Sequence, residues 1–359
     1  MNEEVVLKVK GQAFRGWTGV AIEKSVYQTS GSFGLATTDL FPGEAKKWGF
    51  GFGDECIVEI NGQNLVTGYV EDILIDYDST THNIQIGGRD KTGDLVDCSF
   101  NEEAKEWKGL SIKAIIERLC KPFNIDVVVD ASVLTDANAI WPESPFKANE
   151  GDVVFELIRR ACSMKAILPI CYGDGKLTLT RAGEKYKAWD VLEPGRNILK
   201  GSLDGSDKDR FQTYIVKGQG QDSNWMTPSE ASSGPIGQAI DNVIKRYRPM
   251  IIFADGKSNK SLCDTKAKWE KNRHAGESRS LEYEVQGWTQ SNGKVWPLNT
   301  MVQVKDKILG INETLLISHL FFSTNESGTI TRMKIVDPKT FTVLPEDIKV
   351  GSDGFAWMQ

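Results

Sequence analysis

Hydrophobic and polar positions alternate over residues 68–90, GYVEDILIDYDSTTHNIQIGGRD, in two runs separated by a polar tip at Asp78–Thr81. A period of two sends successive side chains to opposite faces of a strand, so this segment predicts a β-hairpin. Upstream, VVLKVKG (5–11) alternates, and CIVEI (56–60) sets Cys56, Val58 and Ile60 on one face. The NGQN that follows at 61–64 contains Asn-Gly, a strong signal for a tight hairpin turn. Residues 1–98 therefore read as all-β.

Beyond residue 98 the period lengthens to that of a helix. Ile112, Ile115, Ile116 and Leu119 form one stripe, with Ser111 as the N-cap and Pro122 as the stop. Val127–Val129 predicts a short strand. Val153, Val154, Leu157, Ile158 and Ala161 mark a second helix, and ILPICYGDGKLTLTRAG (167–183) a hairpin turning at Gly173-Asp174-Gly175. Residues 99–188 thus predict an α+β unit. Residues 189–210 read as loop-rich, FQTYIVKGQG (211–220) as a strand, and 221–241, rich in Ser, Gly and Pro, as a long surface loop. RYRPMIIFADG (246–256) predicts another strand, and 258–277 a polar helix with little apolar stripe. Alternation then returns in LEYEVQGW (281–288) and MVQVKD (301–306).

A second hairpin pattern, LLISHLFFSTNESGTITRMKIVD, occupies 315–337. Laid on the first, it matches Ile73 with Leu320, Leu74 with Phe321, Ile75 with Phe322, Ile86 with Met333 and Asp90 with Asp337. Each hairpin follows a strand, CIVEI or MVQVK. Two explanations stand: ordinary amphipathic hairpins resemble one another, or the chain carries two copies of one small β-barrel. Under the second, a threefold oligomer would present six like units and could match a sixfold partner on one side and a threefold partner on the other. Cyclic closure needs only one repeated heterologous contact.

Composition fits a soluble multidomain protein. The 359 residues are 40% hydrophobic and 26% charged, with a formal net charge of −6. That charge argues against strong non-specific DNA binding by the whole molecule. No apolar run is long enough for a membrane span, and the acidic, alternating start MNEEVVLKVKG is not a secretory signal, so the cytosol is the expected place of synthesis, where the protein stays until it assembles. Cys56, Cys98, Cys120, Cys162, Cys171 and Cys263 show no CxxC spacing, and His82, His274 and His319 stand apart; neither set predicts a metal site or a disulfide framework.

VQGWTQSNGKVWPLNTMVQVKDKILGINETLLISHLFFSTNESGTITRMKIVDP (285–338) strongly resembles the baseplate hub proteins of Mu-like contractile-tailed phages. Gly287-Trp288, Gly293, Trp296-Pro297, Asn299, Gly310-Ile311 and Gly328-Thr329 carry the likeness. GLSIKAIIERLCKPFNI, NEGDVVFELIRRACSMKAILPICYGDGKLTLTRAG and FGDECIVEINGQNLVTGYVEDI extend it over most of the chain. The resemblance implies kinship with the T-even phage hub, late control protein D and the base of type VI secretion spikes. It implies a mainly β fold with α+β, in which two similar small β-barrel (tube) domains flank an inserted, discontinuous α+β domain. The expected domains are a first barrel at 1–98, an outer domain at 99–188 with 240–278, a second barrel at 189–239 with 279–345, and a tail at 346–359. The implied assembly is a homotrimer in the virion tail baseplate that meets the tail tube or adjacent baseplate proteins, carries a central spike made by a separate chain, and leaves a DNA passage. A type VI secretion or bacteriocin spike base is the alternative within the same class. A cell-wall hydrolase is the alternative from another.

Few residues suggest chemistry of their own. GFGFGD (49–54) alternates glycines, but a phosphate cradle should open a helix and a strand follows here. Asp90, Asp94 and Asp97 could pair for hydrolysis or a metal, yet Asp at such spacing more often serves turns and caps. The three histidines lack a nucleophile elbow. Nine basic residues between Lys245 and Arg273 suggest either a solvated face or a contact with an acidic partner or DNA. Phe355, Trp357 and Met358, after a Gly-containing hinge, suggest aromatic anchors that dock on the spike or a neighbouring subunit. No catalytic residue, cofactor or metal ligand is expected.

Overall fold

The computed structural model describes residues 3–38, 49–78, 82–103, 105–141, 146–163, 165, 167–219, 234–257, 260–325 and 328–341. The N-terminal β unit contains β1 (Val5–Val9), β2 (Gln12–Phe14), β3 (Gly19–Ser25), β4 (Ser32–Thr38), β5 (Glu55–Ile60), β6 (Gln63–Tyr77) and β7 (His82–Asp90). They hydrogen-bond in the order β3-β4-β7-β6-β5-β1-β2. As the alternation requires, Cys56, Val58 and Ile60 are buried on one face of β5.

The middle unit runs through α1 (Gly93–Asp97), β8 (Glu106–Trp107), α2 (Ile112–Cys120), β9 (Val127–Val129), α3 (Leu134–Ala137), β10 (Phe146–Lys147), α4 (Val154–Ser163), β11 (Leu168–Ile170) and β12 (Leu177–Thr180). The Ser111 side chain accepts the Ala114 N–H at 3.2 Å and caps α2. Ile112, Ile115, Ile116 and Leu119 of α2 pack with Val154, Leu157, Ile158 and Ala161 of α4 in a core separate from that of the β units. The three-stranded sheet β11-β12-β9 contributes Leu177 and Leu179.

The remaining elements are β13 (Tyr186–Lys187), β14 (Ile198–Gly205), β15 (Thr213–Gln219), β16 (Ile236–Ile240), β17 (Pro249–Lys257), α5 (Lys260–Glu277), β18 (Arg279–Gln286), β19 (Thr300–Asp306), β20 (Ile311–Asn325) and β21 (Gly328–Val336). Strands β14, β18, β21, β20 and β19 form a second β unit. Strands β16-β15-β17 form a sheet of their own, and Tyr214, Val216 and Ala239 pack there against Cys263 and Ala267 of α5. Two local expectations change accordingly. Residues 198–205, expected as loop, are strand β14. Residues 236–240, expected within a surface loop, are strand β16. Strands β15 and β16 pair with β17, partners that a strand pattern does not name.

The two hairpins correspond residue for residue. Ile73 faces Ile86 on β6–β7, and Leu320 faces Met333 on β20–β21. Each 15-residue long strand is interrupted once, between Val70 and Asp72 in one and between Ile317 and His319 in the other. The skipped residues, Glu71 and Ser318, fall at the same place in the alignment. A bulge admits one extra residue and increases the local twist, so a shared bulge means a shared curvature. The neighbours agree too: β4 lies on β7 as β18 lies on β21, and β3 on β4 as β14 on β18.

Close packing explains one glycine in this arrangement. Gly88 on β7 lies between Phe33 of β4 and Val70 of β6. A β-carbon there would collide with the Tyr69 carbonyl and the Phe33 ring. Gly88→Ala is expected to lower stability by about 3 kcal/mol or more, read as a fall in the urea midpoint, because backbone cannot yield as a side chain can.

Candidate assembly interface

The two β units meet edge to edge. β20 pairs antiparallel with β3, from His319 opposite Ser25 to Thr324 opposite Val20, so both units belong to one continuous 13-stranded sheet. The bulge residue Ser318 accepts the Val26 N–H through its carbonyl at 2.9 Å. At the centre of the seam Phe322 faces Ile22, and both are fully buried. His319 Nε2 lies 2.8 Å from Glu23 Oε1 across the same junction. The seam has polar fasteners as well. Glu3 Oε1 accepts the Trp288 N–H at 2.6 Å, the Thr289 N–H at 2.9 Å and the Thr289 hydroxyl at 3.0 Å. Gln63 accepts from Val295 N and donates to Gly293 O, each at 3.2 Å.

Away from the seam, apolar side chains on strand ends lie open to solvent. Leu74 and Ile75 of β6 are 57% and 53% exposed, and Leu199 and Leu203 of β14 are 58% and 43% exposed. Exposed apolar strand edges favour pairing with another chain. The signal for the β6 patch lies in its alternation, which the sequence shows. That for β14, ILKGSLDG, is diluted by glycines and charges, and the reading as loop missed it.

The residues proposed for chemistry serve structure. Asp90 is buried; its carboxylate accepts Gly31 N–H at 2.9 Å and Thr67 N–H at 3.0 Å. Burial raises its pKa, against the opposing effects of the Lys24 ammonium and the two N–H donors. Lys24, itself buried, donates to Leu65 O at 2.8 Å. Asp97 instead ion-pairs with Arg89, which holds its carboxyl below the usual range, while burial raises Asp94. In the glycine run, Gly51 N–H donates to Asp54 Oδ2 at 2.7 Å, and the loop feeds strand β5. His82 opens β7, His274 lies on α5 and His319 on β20, each in a different element. In the basic stretch, Arg246 pairs with Asp207, and Arg273 with Glu270 and Glu277. The six cysteines are free, and burial pushes the thiols of Cys56, Cys120 and Cys171 up to about 12, which keeps them unreactive. Among the described residues no cluster of His, Cys, Asp and Glu could hold a metal ion, and no helix is long and apolar enough to cross a membrane. Phe355, Trp357 and Met358 lie outside the described residues.

Comparison with known proteins places the chain. Family models match residues 4–90 (Mu phage baseplate assembly protein GpP-like, N-terminal), 92–181 (baseplate hub protein gp44-like, second domain) and 259–345 (Mu phage baseplate assembly protein GpP, fourth domain). The baseplate hub protein gp44 of Escherichia phage Mu is 30% identical over 99% of this chain and 93% of its own length. The chain belongs to the Mu-type baseplate hub family. Among solved structures, the 43 kDa tail protein of prophage MuSo2 from Shewanella oneidensis is 32% identical, with a TM-score of 0.84 over 95% of this chain and 100% of that one. An E. coli type VI secretion component shares the fold at 10% identity, with a TM-score of 0.53 over 92% of this hub protein and 76% of that chain. This Mu-type hub is thus a mainly β protein with α+β elements, and its relatives are structural proteins, not enzymes.

Two predictions follow the buried charges of the hub. Asp90→Asn leaves one of the two N–H donors, Gly31 or Thr67, without an acceptor and Lys24 without its countercharge, so unfolding free energy should fall by about 3 kcal/mol in urea titration. His274 packs between Phe211 and Tyr214, and burial, with Arg273 beside it, lowers its pKa below 6.5. The unfolded chain therefore takes up the proton first. Stability from this site is complete above pH 6.5 and is lost as pH falls through the folded value. Urea midpoints compared at neutral and mildly acid pH should show the drop, and His274→Gln should reduce it.

Proposed function

We propose that this protein is the trimeric hub of a contractile phage tail, a ring that joins the sixfold tail tube to a threefold central spike. The carrying observation is the duplicated β unit, matched in strand order, register and bulge. Three chains with two such units each supply six like surfaces around a passage, while the outer α+β elements repeat only three times. Kinship with the phage Mu hub supports the same reading. The work is mechanical, and the forces are those of oligomer interfaces, apolar burial at the centre and hydrogen bonds around it. DNA would pass without sequence-specific contacts. A net charge of −6 suits a conduit that must not hold its cargo.

A type VI spike base has the distant fold likeness in its favour, at 10% identity, but the phage relative is 30% identical. A wall hydrolase would need a free carboxylate pair, whereas Asp90 and Asp97 are committed to Gly31, Thr67 and Arg89. Light scattering should give a mass about three times 39.9 kDa, and the purified protein should leave cell wall undigested. A strict monomer, even with the spike protein added, would overturn the assignment.

A further inference from the structure

Because the two β units correspond residue for residue, the seam between them makes a statement about surfaces that are open. β20 has three strand neighbours: β21, β19 and, beyond the bulge, β3. Its counterpart β6 has β7 and β5, but β5 pairing stops at Tyr69. Among the described residues no strand lies beside β6 where β3 lies beside β20. The other half of the seam shows the converse. β3 has two neighbours, β4 and β20, whereas among the described residues the strand beside its counterpart β14 is β18 alone. Among the described residues one chain thus carries two edges with no partner strand, and they are the counterparts of the two edges that fill each other internally.

The registers define what should face what. Ile22 of β3 faces Phe33 of β4, and Leu203 of β14 faces Leu281 of β18. Phe33 faces Gly88 and Leu281 faces Ile335, and Gly88 and Ile335 are equivalent in the two hairpins. Leu203 is therefore the counterpart of Ile22. Phe322, which faces Ile22, is the counterpart of Ile75. Within the chain, the pair Phe322 and Ile22 is fully buried. The corresponding residues Ile75 and Leu203 are both apolar, and both are exposed, at 53% and 43%.

We infer that the outer half of β6 pairs antiparallel with β14 of a second copy of this chain, with Ile75 opposite Leu203, Leu74 opposite Asp204 and Ile73 opposite Gly205. The inference rests on the ring reading above and adds its contact surface and register. Gly205 lies on the same face as Leu203, and a β-carbon there would meet no atom closer than 3.9 Å, which leaves room for Ile73 to lie across the strand. Each chain then offers one edge of each kind, so the contact is heterologous, and a closed ring leaves none of these edges exposed. Backbone hydrogen bonds supply affinity, and the alternate side chains supply register.

The test uses full-length protein with Cys98→Ser, the other native cysteines being buried. Ile75→Cys and Leu203→Cys are introduced together, and mild oxidation with diamide is followed by denaturing, non-reducing electrophoresis. Directly opposed strand residues lie within disulfide reach. The double variant should give covalent species up to the full ring, either single variant none, and an equimolar mixture of the two singles covalent dimers only. Ile75→Cys with Gly205→Cys, out of register, should cross-link far less, and a β-carbon at 205 meets no close neighbour that would disturb the fold. As a second measurement, Ile75→Lys should weaken association about a hundredfold or more while leaving the far-UV circular dichroism spectrum unchanged, since the position is exposed within a single chain. An oligomer by light scattering that fails to cross-link, or that prefers the shifted pair, would overturn the strand register while the ring reading stands. A protein that remains monomeric would overturn both.

Discussion

The hydrogen-bonding demand of a strand edge organises this molecule. A backbone edge with buried side chains on one face needs a partner strand, and β3 and β20 provide one for each other. Because that contact joins two copies of one architecture, it merges their cores: Val5, Leu7 and Ile22 of the first unit and Leu281, Leu320 and Phe322 of the second belong to one hydrophobic cluster. The relative placement of the two units is then as rigid as the interior of either.

The polar interior serves the same end. Asp90 collects two N–H groups from different segments of the first unit. Nearby, Thr67 donates to Gly173 O and Thr29 to Pro169 O, so the middle unit is tied down at the same place. Tyr283 donates to the buried Asp306, which also accepts from Ile308 N and Leu309 N and shapes the turn into β20. These are fully used carboxylates. A hydrolytic acid or base needs an unfilled lone pair or a proton to give near a cleft, and partners already occupy these groups.

Much of the fold was legible. Alternation located the two long hairpins and their equivalence, down to Ile73 with Leu320 and Ile86 with Met333, because one face of each strand must be apolar whatever its neighbours are. The helical stripes of α2 and α4 were equally plain, as was the Ser111 cap. The misses share a cause. β14 carries Gly201, Gly205, Ser202 and Asp204 and is exposed along most of its length, so its pattern lacks the apolar half that marks a strand. β16, IGQAI, is short and follows a Ser- and Gly-rich run. That β15 and β16 pair with β17 was not readable either, because a strand pattern does not name its partner.

The sequence by itself determined the local elements, the duplicated hairpin and the absence of familiar catalytic spacing, since these depend on periodicity and on neighbours close along the chain. Only the tertiary structure decided which edges meet. Pairing β20 with β3 brings together residues nearly three hundred positions apart, such as His319 and Glu23, whose contact leaves no trace in local pattern. It also decided which apolar residues are covered. Phe322 and Ile75 look alike in their strands, and only the path of the chain buries the first and leaves the second at the surface.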